Sequence, residues 1–131
     1  MSYDILAFEP SATSDEDFAS WYENQVEWSE DHGYDDPSVT TSRLRAFYED
    51  LVVGYRAMNG PGAPTDEELD ADGDLESRLT DYSIGTTLVY AAFAWSQAEE
   101  AQRVFCELAA KHEVAVALVS ESSTPAIIRP S

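Results

Sequence analysis

Apolar positions in this chain follow two rhythms, one of period two and one near 3.6 residues, and the rhythm changes at each turn signal. Tyr3-Asp4-Ile5-Leu6-Ala7-Phe8-Glu9 is β-prone and stopped by Pro10, which predicts a first strand apolar on both faces and therefore central in a sheet. Ser14 with Asp17 makes a capping box, and Asp15, Glu16 and Asp17 sit in the first helical turn, where the helix dipole favours them. Phe18, Trp21, Tyr22, Gln25, Val26 and Ser29 then recur at helical spacing, with Trp28 near that stripe. The helix is expected to end around Asp31, with Gly33 as stop signal.

After the Asp35-Asp36-Pro37 turn, Thr40 to Ser42 offer a second N-cap. Leu44, Phe47, Tyr48, Leu51, Val52 and Tyr55 form the next stripe, closed by Asn59-Gly60-Pro61. Residues 60–78 are rich in Gly, Pro and acid and read as a mobile surface loop, with one helical turn at Thr65 to Leu69. Leu79 to Ile84 and Thr87 to Trp95 predict a hairpin turning at Gly85-Thr86, its second strand apolar on both faces. Ser96 with Glu99 suggests another capping box, opening a helix with the stripe Ala101, Val104, Phe105, Leu108 and Ala109, and Lys111 and His112 complement its end. Val114 to Val119 and Ala126 to Arg129 read as two more strands.

The order is thus β-α-α-β-β-α-β-β over a single domain, residues 1–131. This predicts an α+β, two-layer sandwich: helices over one face of a mostly antiparallel sheet, with a ferredoxin-like β-α-β-β-α-β core.

Charge changes the picture most. Seven basic residues stand against 26 acidic ones, a formal net charge of −19. Eleven acids precede the first basic residue, Arg43, and eight more lie between Asp66 and Asp81 with only Arg78 opposing them. Such a field repels nucleic acid and anionic lipid and speeds the encounter with a basic protein. Solubility or adaptation to salt would produce the same bias. No apolar run approaches the roughly 18 residues of a membrane span, no signal peptide is readable, and Cys106 has no disulfide partner. The expectation is a cytoplasmic protein.

The densest mixture of reactive groups is the stretch Trp28-Ser29-Glu30-Asp31-His32-Gly33-Tyr34-Asp35-Asp36-Pro37. Its imidazole and carboxylates could ligate a divalent ion, yet no second histidine stands near, and a solvated helix end explains the acids more simply. Asp70 to Asp81 imitates a calcium loop, but Leu75 occupies the glycine position and Asp81 replaces the bidentate Glu. Cys106 falls in a helix without a neighbour to lower its pKa, and is read as packing. No catalytic residue, cofactor or metal is expected.

The opening Met1 to Asp4, Trp28 to Pro37, Met58-Asn59-Gly60-Pro61, Asp81-Tyr82-Ser83-Ile84-Gly85 and Tyr90 to Gln97 resemble an uncharacterised family of small acidic bacterial proteins. The resemblance covers nearly the whole chain except residues 62–78, and it implies no catalytic residues. In size, acidity and α+β layout the chain is also similar in type to immunity proteins of bacterial toxin systems.

These observations lead to the expectation of a non-enzymatic inhibitor that occludes the active site of a basic toxin domain, as monomer or homodimer. Trp28 and Tyr34 would anchor the partner. Glu30, Asp31, Asp35 and Asp36, with His32 among them, would meet its cations, and Asp66, Glu67, Asp70, Asp72 and Asp74 would steer it. The alternatives are an enzyme that binds a small ligand or metal through His32 and its neighbouring carboxylates, and a structural homodimer pairing through the edge at Ala126 to Arg129.

Overall fold

Strand β1 (Ser2–Phe8) occupies the middle of a five-stranded antiparallel sheet of order β2-β3-β1-β4-β5, formed with β2 (Asp81–Gly85), β3 (Leu88–Ala94), β4 (Ala115–Leu118) and β5 (Ala126–Ile128). The computed structural model describes residues 2–25, 37–58, 63–71, 78–120 and 126–129. Both apolar faces of β1 are used, as its sequence required. Tyr3, Ile5 and Ala7 enter one buried cluster, and Leu6 and Phe8 enter another on the opposite face. In register, Leu6 stands opposite Tyr90 on β3 and Ala117 on β4.

Four α-helices are described: α1 (Phe18–Gln25), α2 (Ser42–Gly54), α3 (Asp66–Ala71) and α4 (Ala98–His112). Helices α2 and α4 cover the Ile5 face. Phe47 of α2 meets Phe105 of α4 edge-to-face with ring centres 4.9 Å apart, and Phe93 of β3 lies 6.1 Å from Phe105. Phe105 is fully buried, and such burial stabilises a fold by about 1.5–3 kcal/mol.

Helix α1 corrects the expectation that the helices share one face. Phe18 and Trp21 pack on Phe8, 5.5 and 5.3 Å between ring centres, beside Leu6, Leu88, Ala115 and Ala117. The reason is β1 itself: with Leu6 and Phe8 facing away from α2 and α4, that side also needs an apolar cover.

Boundaries moved where backbone groups found partners outside their helix. The Ser14–Asp17 bonds form, with the Asp17 N–H donating to Ser14 Oγ at 3.2 Å, but regular helix starts only at Phe18. Thr41 caps α2, as expected, its Oγ1 accepting from the Leu44 N–H. Helix α2 stops at Gly54, short of the expected Asn59, because Met58 N–H donates to Thr80 O at 3.0 Å and Thr80 N–H to Arg56 O at 2.9 Å. Tyr55 still turns into the core. Helix α3 falls on the expected Thr65–Leu69 turn and is closed reciprocally: Glu68 N–H donates to Thr65 Oγ1 and Thr65 N–H to Glu68 Oε1.

The capping box expected at Ser96 does not form. A 3-10 turn, Trp95–Gln97, intervenes, and Gln97 caps α4 without a side-chain hydrogen bond. At the other end Glu113 adopts the left-handed conformation, φ 60°, and its N–H bonds back to Ala110 O. None of the described helices is long and apolar enough to cross a membrane.

Candidate functional site

Of the twelve residues expected to contact a partner, the described structure places three. Asp66, Glu67 and Asp70 lie together on α3, all exposed. Trp28, Glu30, Asp31, His32, Tyr34, Asp35, Asp36, Asp72 and Asp74 lie outside the described residues, as does half of the Asp70–Asp81 frame. Among the described residues no group of three or more His, Cys, Asp or Glu side chains could hold a metal ion.

What the structure does assemble is an open cleft of about 440 Å³ where β1, β3, β4 and α4 meet, lined by Tyr3, Trp95, Ser96, Ala98, Glu99, Gln102 and Ser120. Strand β3 ends at Ala94, and the 3-10 turn lifts Trp95 off the sheet. The indole is held edge-to-face against Tyr3, ring centres 5.6 Å apart at 72°. Tyr3 is itself fixed from behind, its hydroxyl donating to Gln102 Oε1 at 3.3 Å. Ser120 Oγ accepts from the Asp4 N–H at 2.8 Å, which ties the end of β4 to β1. Trp95 nevertheless remains 53% exposed, an apolar surface presented to solvent.

Sequence periodicity placed Trp95 last in a strand, and nothing in that pattern distinguished it from a core position. The one available signal was the polar Ser96-Gln97 that follows, since a strand that stops there leaves its last aromatic at the rim.

Most of the chain's few cations are used internally. Five of the seven basic residues are paired with the chain's own acids: Arg43 with Glu9, Arg56 with Glu68, Arg103 with Glu107, Lys111 with Asp50 and Arg129 with Asp15. The Arg56 guanidinium and the Thr65 N–H hold the Glu68 carboxyl below its ordinary pKa. Hydrogen bonds from His112 and Lys111 do the same for Asp50.

Two other polar clusters and a half-buried thiol are built into the fold. The Tyr90 hydroxyl donates to the Asp4 carboxylate, and burial together with that carboxylate pushes the Tyr90 phenol far up. Tyr22 of α1 joins them, its phenol also raised by burial, so a polar link crosses the α1 interface. The Tyr82 hydroxyl donates to Tyr55 O at 2.7 Å. Cys106 is half-buried beside a small hollow of about 40 Å³ bounded by Ala109, Val114, Val116 and Ile128, and burial raises its thiol pKa. A thiol so placed packs, as expected from sequence, and is not activated.

No family model, curated protein or solved structure matches this chain.

Proposed function

We propose that the chain is a non-enzymatic binding protein of the immunity type, a cytoplasmic inhibitor that occludes the active site of a basic bacterial toxin domain. The observation that carries this reading is the charge balance in its spatial form. The net charge is −19, and among the described residues five of the seven cations are paired with the chain's own acids, so few cations are left to offset the excess of carboxylates. Such a surface steers a basic protein toward it and discriminates against acidic ones.

Within this proposal Trp28 and Tyr34 anchor the partner, Glu30, Asp31, Asp35 and Asp36 pair with its cations around His32, and the acids from Asp66 to Asp74 steer the approach. The exposure of Asp66, Glu67 and Asp70 on α3 is consistent with the steering role. The scaffold is proposed to be a ferredoxin-like two-layer core, supported by the order β2-β3-β1-β4 and by α2 and α4 on one face, with α1 added to the other.

Capture of partners from the native lysate at low and high salt tests the reading. The expected result is one basic protein at near-equal stoichiometry, weakened by salt, whose own catalytic activity falls to zero when one equivalent of the chain is added. A captured partner whose activity is undiminished, or the absence of any basic partner at either salt, overturns it.

A further inference from the structure

We propose that the Trp95 cleft is the seat of an arginine side chain of the basic protein partner, with the guanidinium stacked on the indole and forked onto Glu99. The inference rests on the binding-protein reading above and assigns a contact that the sequence did not indicate.

Three observations converge on it. The indole is exposed and is backed on one side by Tyr3, whose hydroxyl donates to Gln102. Trp is the best of the aromatic rings at binding a cation. The cleft lining carries one carboxylate, Glu99, with amide and hydroxyl groups from Gln102, Ser96 and Ser120, and contains no basic residue. A flat cation with several N–H donors matches an aromatic face beside oxygen acceptors better than a compact ammonium does. Finally, the cleft is open and the chain as a whole is strongly anionic, which suits a side chain projecting from a macromolecule with a basic surface.

Binding of a hexa-arginine peptide, followed by calorimetry at moderate salt, tests the assignment. Trp95→Ala is expected to weaken binding about fivefold and Glu99→Gln about threefold, magnitudes typical of a partly exposed cation–π contact and a charge-assisted pair. Glu49→Gln, an exposed acid on α2 away from the cleft, removes the same charge and is expected to change affinity by less than about twofold, as one of many screened charges. Hexa-lysine is expected to bind more weakly and to be indifferent to Trp95→Ala. Since Trp95 is half-exposed, Trp95→Phe, which keeps the contact with Tyr3, serves as the packing control and is expected to lose less than the alanine variant.

Two failures are separable. If the peptide binds but Trp95→Ala has no effect, or Glu99→Gln and Glu49→Gln weaken it equally, the cleft assignment falls and the charge-based reading stands. If the unaltered protein binds no basic peptide even at low salt, both fall.

Discussion

His112 Nε2 stands 2.6 Å from Asp50 Oδ2, and the Lys111 ammonium lies 3.0 Å from the same oxygen. Two consecutive residues at the end of α4 thereby grip one carboxylate on α2 and pin together the helices that cover the Ile5 face of the sheet. Their bonds hold the Asp50 pKa below its unfolded value, so this contribution is complete above about pH 4 and is lost as pH falls through the lower, folded value. Asp50→Asn should therefore unfold at lower urea concentration near neutrality. Its midpoint should also decline less than the parent's on acidification, because the group that would be protonated is gone. Urea titrations at a series of pH values, followed by far-ultraviolet circular dichroism, provide the check.

Tyr55 and Tyr82 make opposite predictions from one contact. The buried Tyr82 hydroxyl donates to the Tyr55 carbonyl, whereas the buried Tyr55 hydroxyl has no hydrogen-bond partner among the described residues. Tyr82→Phe should cost about 1–2 kcal/mol, since it leaves an acceptor unpaired, while Tyr55→Phe should be neutral or stabilising by up to about 1 kcal/mol. Thermal unfolding of the two variants side by side distinguishes them by the sign of the shift.

Arg129, just past β5, fastens the segment between β1 and α1. It donates to Pro10 O at 2.8 Å, Thr13 O at 2.7 Å and Asp15 Oδ1 at 2.6 Å, with its guanidinium 5.7 Å from the centre of the Phe8 ring. Arg129→Ala should destabilise by about 2 kcal/mol, and Arg129→Lys should recover less than half of that because one ammonium cannot serve three divergent acceptors while covering a ring. A fall of about 6 °C in melting temperature for the alanine variant is the expected reading.

Glu113 holds φ 60° at the end of α4, a conformation costly for a residue with a Cβ. Glu113→Gly should raise stability by about 0.5–1 kcal/mol, relief of strain outweighing the added freedom of the unfolded chain. The bond from Arg43 Nη1 to the Glu113 carbonyl survives the change, since it uses backbone. Calorimetry showing a lower melting temperature would contradict this account of the cap.

Much of the architecture was legible because it is locally encoded. The near-continuous apolar runs of β1 and β3 predicted strands apolar on both faces, and both lie inside the sheet. The stripes through Leu44, Phe47 and Leu51 and through Ala101, Phe105 and Ala109 predicted the buried faces of α2 and α4. The candidate site was less legible. Composition drew attention to the acids and aromatics from Trp28 to Asp36, but it could not indicate that Tyr3 and Trp95, far apart in the chain, would frame a cleft.

By itself the sequence determined where strands and helices form and which side of each is apolar, since a period of two or 3.6 is a property of neighbouring residues. It also set the net charge of −19. Only the tertiary structure decided which face of the sheet α1 would take, because an apolar stripe has no preference between two apolar faces until the other helices have occupied one. It alone brought His112 to Asp50 and Arg129 to Pro10. It also left Trp95 at the rim rather than in the core, for burial depends on what the rest of the chain places overhead, and no local pattern records that.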